Sequence, residues 1–88
     1  MEYTKHISVT ERDGFCVIKV DDYELFDYLD DFFVEQDIDS LFISKEIDQL
    51  GREFHLLYFS AQYTPQILIN MLSQIPIAEI EQIYSMNN

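Results

Sequence analysis

Asp13 and Gly14 stand between two runs of residues that favour β-strands, and this dipeptide is a strong local signal for a β-hairpin. A two-residue turn fixes one register for the flanking strands, which pairs Arg12 with Phe15, Val9 with Ile18 and Ile7 with Val20. One face of this hairpin is apolar and carries Ile7, Val9, Cys16, Ile18 and Val20. The other face carries Ser8, Thr10, Arg12, Val17 and Lys19. Because a shift of one residue would exchange the faces, the sorting by polarity supports this register independently of the turn.

An amphipathic helix is predicted from residue 22 to about residue 36. Asp21 is the candidate N-cap, and Glu24 follows three residues later, as in a capping box. The apolar residues recur at helical spacing and are Leu25, Phe26, Leu29, Phe32 and Phe33. The opposite side of the helix is acidic and carries Glu24, Asp27, Asp31 and Glu35.

A second antiparallel strand pair is predicted at residues 41–47 and 54–60, with Gly51 in the connection. Residues 55–59 are apolar on both faces, which is typical of a strand inside a sheet. A second helix then begins with Thr64 as N-cap and Pro65 at its first position, and Pro76 ends it. Its predicted buried face consists of Ile67, Leu68, Met71, Leu72 and Ile75.

Residues 77–86 fit two structures. Ile77, Ile80 and Tyr84 have helical spacing, whereas Ile80, Ile83 and Tyr84 also suit an extended run. The isoleucine-rich composition and the lack of a capping residue favour a terminal strand.

The whole pattern is ββαββα with a C-terminal strand as the favoured ending. It predicts a single α+β domain over residues 1–88, in which one antiparallel β-sheet has two helices packed on one face.

The composition predicts a folded chain with a strongly negative surface. Hydrophobic residues make up 48% of the chain, which is too many for intrinsic disorder. Seventeen acidic and five basic residues give a net charge of −12. This charge repels nucleic acid and anionic membranes and attracts cationic proteins. We therefore expect a basic protein partner, no direct nucleic-acid binding and no membrane association.

The expected compartment follows from three further features. The only cysteine, Cys16, cannot form an intrachain disulfide, which suits a reducing cytoplasm. The N-terminal residues lack the basic and apolar regions of a secretory signal, and no apolar run approaches the ~20 residues that span a bilayer. We therefore expect a soluble cytoplasmic protein.

The residues that could carry catalysis form no recognisable constellation. Cys16 faces the predicted core, where a thiol stays protonated. His55 lies opposite Glu46 in one register, which an ordinary cross-strand pair explains, and His6 is expected to be exposed. We therefore predict that the protein is not an enzyme.

Phosphate-binding loops and calcium sites are also disfavoured. The only two glycines stand far apart, so no glycine-rich phosphate loop is present. If Asp37 began an EF-hand loop, Phe42 and Asp48 would occupy the positions that require Gly and Glu. We therefore predict no cofactor and no metal site.

The strongest functional signal is acidic: nine carboxylates and no basic residue lie between Lys19 and Lys45. Like charges on one helix repel each other, and a cationic partner surface would relieve that repulsion. Tyrosines in the same segment add aromatic side chains of the kind that anchor interfaces. The predicted partner-binding residues are Tyr23, Glu24, Asp27, Tyr28, Asp30, Asp31, Glu35, Asp37 and Asp39.

Two hypotheses follow. The first is a small acidic protein inhibitor that occludes a basic nucleic-acid-handling protein by mimicking nucleic acid. Examples of this type are an immunity protein that neutralises a nuclease toxin and a phage-type inhibitor of a defence nuclease. The alternative is a non-enzymatic accessory or assembly module, most simply a homodimer, that binds through its sheet face or edge. Phe15 and Val17, which point away from the predicted core, favour this alternative.

Overall fold

One antiparallel sheet of five strands and three helices make up the fold in the computed structural model, which describes residues 1–86. In chain order the elements are β1 (Glu2–Thr4), β2 (Ile7–Arg12), β3 (Phe15–Val20), α1 (Tyr23–Glu35), β4 (Phe42–Ile47), β5 (Glu53–Ser60), α2 (Pro65–Leu72) and α3 (Ile77–Met86). The spatial order of the strands is β1-β2-β3-β5-β4, and all neighbours are antiparallel. The predicted α+β class with one antiparallel sheet is confirmed, but with three helices instead of two.

The hairpin of β2 and β3 has the predicted register. Its pairs include Arg12 with Phe15, Val9 with Ile18 and Ile7 with Val20. At the turn, Asp13 and Gly14 both have positive φ, 52° and 83°, as a type I′ turn requires. The local turn chemistry thus determines how the first two long strands pair.

The core lies between the sheet and the three helices, which all cover the same sheet face. The sheet contributes Ile7, Val9, Cys16, Ile18, Val20, Leu57 and Phe59, and the helices contribute Leu25, Phe26, Leu29, Phe33, Leu68, Leu72 and Ile80. β5 lies between β3 and β4, which confirms the interior position predicted from its apolar residues. This packing holds the apolar side of α1 on the sheet and turns its acidic side to solvent.

The other sheet face carries no helix, and its own side chains pack against one another. Phe15 and Val17 point away from the helix-covered core, as predicted, but Val17 is fully buried and Phe15 is half-buried. The ring of Phe15 contacts the rings of Phe42 and Tyr58 at centroid distances of 5.3 and 5.8 Å. This face therefore presents less apolar surface than the sequence pattern suggested.

Residues 77–86 form a helix, so the prediction of a C-terminal strand is wrong. The carbonyl of Pro76 accepts a hydrogen bond from the Ile80 N–H at 3.3 Å at the start of α3. Ile80 is fully buried in the core, and the ring of Tyr84 contacts that of His6 at 3.8 Å between centroids. Tertiary packing thus selects one of two structures with which the local sequence is compatible.

The start of α1 also differs from the prediction. Asp22, rather than Asp21, is its N-cap, because the Asp22 side chain accepts a hydrogen bond from the Leu25 N–H at 3.0 Å. Asp21 instead accepts a hydrogen bond from His6. The predicted capping box between Asp21 and Glu24 is therefore wrong.

The remaining differences concern β1 and α2. The short strand β1 was not predicted from the sequence. α2 has the predicted cap at Thr64 but ends at Leu72, and Ile67, which was expected to be buried, is exposed. None of the helices within residues 1–86 is long and apolar enough to cross a membrane.

Candidate protein-binding surface

The exposed side of α1 is mainly acidic, and Tyr23 and Val34 are also exposed on this helix. Leu25, Leu29 and Phe33 of this helix are buried, and the side opposite them faces solvent. Four exposed carboxylates lie there, which we call the acidic face of α1: Glu24, Asp27, Asp31 and Glu35. The structure brings these predicted residues together on one surface because the apolar and acidic positions alternate with helical periodicity.

The basic residues of the chain do not neutralise this face. Glu46 forms ion pairs with Arg12 at 3.2 Å and with Lys19 at 3.8 Å, on the sheet face that carries no helix. Lys45 pairs with Glu53 at 3.0 Å, and Arg52 pairs with Asp48 at 2.8 Å. Among the salt bridges within residues 1–86, none involves a carboxylate between residues 24 and 39. The negative field of α1 therefore projects into solvent.

Asp30 adds a fifth, partly buried carboxylate to the four of the acidic face. It is half-buried, and burial is the main cause that raises the pKa of its carboxyl above the ordinary value of 3.8. Repulsion from Asp31, Asp27 and Asp39 raises this pKa further. We call these four residues, Asp27, Asp30, Asp31 and Asp39, the acidic cluster, and it links α1 to the loop that leads into β4.

Asp37 occupies a backbone position that normally favours glycine. The N–H of Ile38 donates to the Phe33 carbonyl at 2.9 Å, and the N–H of Asp37 donates to the Val34 carbonyl at 3.0 Å. These two bonds define a Schellman motif, in which Asp37 is left-handed with φ of 60°. Ile38 follows and is buried in the core. The exposed Asp37 carboxylate thus lies at the negative end of the helix dipole.

Only one of the two predicted tyrosine anchors is available. Tyr23 has 58% of its surface exposed. Tyr28 is half-buried against the core, and burial together with a hydrogen bond to Glu79 raises the pKa of its phenol. Tyr28 therefore serves mainly to pack α1 against α3.

Sequence reasoning missed a groove between α1 and β4. It has a volume of about 380 Å³ and is lined by Tyr23, Phe26, Ile43, Ser44, Lys45 and His55. We call it the α1–β4 groove. A strand at residues 41–47 was predicted, but its place at the edge of the sheet follows from β5 lying between β3 and β4. That order is not readable from the sequence of β4 alone.

The cysteine and histidine residues considered for catalysis are buried. Burial, with a further contribution from Glu11, raises the pKa of the Cys16 thiol. His55 is opposite Val20 and Lys45, not Glu46 as one predicted register had it. Its ring contacts those of two groove residues, Tyr23 and Phe26, each at 5.4 Å between centroids.

His6 is buried, so the expectation that it is exposed is wrong. Its Nδ1 lies 3.0 Å from Asp21 Oδ2, and its Nε2 lies 3.3 Å from Glu81 Oε2. These contacts tie the β2–β3 hairpin to α3. In the part of the chain that the structure describes, no group of three or more His, Cys, Asp or Glu side chains could hold a metal ion.

Comparison with known proteins adds no relative: no family model, curated protein or solved structure matches this chain.

Proposed function

We propose that this protein is a small acidic inhibitor that binds and occludes a basic nucleic-acid-handling protein, such as a nuclease toxin or a defence nuclease. The observation that supports the proposal most is the lack of counter-charge at α1. Four of the five basic residues pair with Glu46, Glu53 or Asp48, while the acidic face of α1 enters no salt bridge within residues 1–86. A cationic partner surface would supply the missing charge.

The mechanism is steric and electrostatic occlusion. The carboxylates of the acidic face and of the acidic cluster occupy positions on the target that otherwise hold phosphates. Close charge pairs across a protein interface can contribute several kcal/mol, about 1.5–7 in measured cases, and long-range attraction raises the association rate. Steric and electrostatic occlusion requires no catalytic group, and the burial of Cys16 and His6 agrees with a binding role.

Asp37 gives independent support. A carboxylate in a left-handed position at the C-terminal end of a helix lowers stability in two ways, through its backbone conformation and through the helix dipole. Residues that conflict with local stability are found preferentially at functional sites. The cost at Asp37 is consistent with a carboxylate that is kept for binding.

The test is affinity capture from host lysate with two charge-matched variants. Asp27→Lys with Asp31→Lys removes charge from the acidic face, whereas Glu2→Lys with Glu11→Lys makes the same change of net charge on β1 and β2. We expect the wild type and the β-strand variant to capture the same basic protein and to inhibit its nucleic-acid binding. The α1 variant should lose both properties. Equal capture by all three proteins would contradict the proposal.

The alternative, an assembly module, is favoured by a different observation. β4 is an edge strand, and apolar residues on and beside it are exposed: Leu41, Phe42, Ile43, Ile47 and Leu50. Such an edge can pair with the same strand of a second copy. Sedimentation velocity tests this: a homodimer that Ile43→Ser dissociates would support the alternative, and a monomer at all concentrations would exclude it.

A further inference from the structure

The two edges of the sheet differ in a way that bears on binding. β1 has three residues and an irregular register with β2. β4 has six residues in regular register with β5, and five of the six are exposed. Within residues 1–86 no strand pairs with the outer side of β4. β4 therefore offers a longer and straighter row of backbone donors and acceptors to a partner than β1 does.

The helix side of β4 is apolar and uncovered. Ile43 lies opposite the core residue Leu57, so Ile43, Lys45 and Ile47 point to the side that carries the helices. Ile43 and Ile47 nevertheless remain 58% and 64% exposed. The helix α1 packs against β3 and β5 and leaves β4 open. The α1–β4 groove is the space that results.

The charge beside the groove is negative at the end where β4 begins. Asp30 follows Phe26 by one helical turn, and Asp39 precedes β4 by three residues. Phe26 contacts His55 and Phe33 contacts Phe59, so the later half of α1 runs toward the end of β5 at which β4 begins. Repulsion from Asp39 also contributes to the raised pKa of Asp30. Lys45, which lines the groove, is paired with Glu53. An occupant of this groove thus meets apolar side chains in the middle and unneutralised carboxylates at one end.

We propose that the α1–β4 groove binds an extended segment of the partner protein, which carries apolar residues at alternate positions and a lysine or arginine two residues beyond the last of them. The segment pairs with β4 as a sixth strand. Its apolar side chains cover Ile43 and Ile47, and the cationic side chain, which points to the same face of the added strand, lies against Asp30 and Asp39. This inference rests on the proposed function and names the kind of partner segment that the acidic protein binds.

A second copy of the chain fits this edge less well. In an antiparallel pair, opposite residues point to the same face of the sheet. Two copies of β4 related by a two-fold axis can therefore pair only when the axis passes beside one residue, which then lies opposite its own copy. Pairing about Ser44 places Lys45 opposite Ile43 and Phe42 opposite Glu46. Pairing about Lys45 or Glu46 opposes two like charges, and pairing about Ile43 aligns only residues 42–44 of the two strands.

The test uses a short synthetic peptide with valines at alternate positions, serines between them and one lysine two residues beyond the last valine. Amide NMR spectra of the protein report its binding. We expect saturable shifts at residues 42–47 and at Tyr23. The variant Ile43→Ser should bind at least about tenfold more weakly, equivalent to ~1.4 kcal/mol, because it removes apolar contact from the groove. Ile67→Ser, at an exposed isoleucine of α2, is the matched control and should bind like the wild type.

Two further peptides make the test specific. Replacement of lysine by glutamate should abolish binding, and methylation of the peptide's backbone nitrogens that face β4 should do the same, because these nitrogens donate the hydrogen bonds of the added strand. Equal binding of the methylated peptide, or shifts confined to the acidic face of α1, would overturn the groove proposal. Self-association that Ile43→Ser abolishes would overturn it too, since a second copy would then be the occupant. In contrast, the variant Asp27→Lys with Asp31→Lys tests the proposed function separately, because it leaves Ile43 and Ile47 of the groove unchanged.

Discussion

Asp37 carries a carboxylate where the backbone favours glycine, so the binding role that we propose for this residue is in conflict with stability. Its φ of 60° is left-handed, and the neighbouring carbonyls form the negative end of the α1 dipole. The sequence marked Asp37 as a binding residue through its charge alone. Its position in the Schellman motif became visible only in the structure, because that motif depends on where α1 ends.

Replacement of Asp37 by glycine should stabilise the protein. The change removes left-handed strain and an unfavourable charge, and the greater freedom of glycine in the unfolded chain offsets part of the gain. We expect a free energy of unfolding about 0.5 kcal/mol higher in urea denaturation, together with weaker binding to the cationic partner. Asp39→Gly is the control, since Asp39 has no positive φ and should lose stability on the same change. A destabilised Asp37→Gly variant would contradict this account.

The raised pKa of Asp30 predicts a pH dependence of folding stability whose sign is opposite to that of a salt-bridged carboxylate. Its pKa is raised in the folded chain, so just above pH 3.8 the folded state binds more protons than the unfolded state. Its contribution to stability is therefore present at low pH and is lost as pH rises through the raised pKa. Asp30→Asn should be more stable than the wild type at pH 7, by about 0.3 kcal/mol for each like-charge contact removed.

The measurement for Asp30 is denaturant unfolding across the acid range. The stability difference between Asp30→Asn and the wild type should grow as pH rises from below 3.8 to neutrality. Glu11→Gln is a control of equal charge change away from α1. If the two variants showed the same pH profile, the acidic cluster would not be the source of the effect.

At the scale of the element, the predictable parts are those determined by local sequence. The Asp13-Gly14 turn gives the β2–β3 register, and Thr64 with Pro65 gives the start of α2, because each acts within a few residues. α3 was not predictable, since its start has no side-chain cap and its isoleucines suit either structure. The α1–β4 groove was not predictable either, because it depends on the order of strands in space.

The helical packing of α3 can be tested with two isoleucines on the same element. Ile80 is fully buried, whereas Ile77 is 56% exposed. Ile80→Ala should lower the free energy of unfolding by about 3 kcal/mol, through lost apolar contact and the cavity that remains. Ile77→Ala should change it by less than about 0.5 kcal/mol. Similar losses for both variants would contradict the helical arrangement of residues 77–86.

At the scale of the whole molecule, the charges are separated. Most basic residues are held in ion pairs on the β-strands and their connections, and the carboxylates of α1 and the following loop are left without counter-charge in the described chain. A net charge of −12 on 88 residues produces self-repulsion that disfavours the compact state. Burial of the apolar side of α1 outweighs that repulsion.

Added salt should therefore stabilise the isolated protein. Raising sodium chloride from about 0.01 to 1 M shortens the Debye length from about 30 to 3 Å and screens the repulsion, so the melting temperature should rise. Asp27→Asn with Asp31→Asn should show a higher melting temperature at low salt and a smaller rise. A melting temperature that falls with salt would indicate that the ion pairs of the strands dominate instead.

The most direct test of the central claim is the salt dependence of partner affinity for three purified proteins. These are the wild type, Asp27→Lys with Asp31→Lys, and the charge-matched Glu2→Lys with Glu11→Lys. If the acidic face of α1 binds the partner, the wild-type Kd should rise steeply with salt. The α1 variant should then bind at least about tenfold more weakly at low salt, and the β-strand variant should stay close to the wild type. Equal affinities for the two variants would show that the acidic face is not the binding surface.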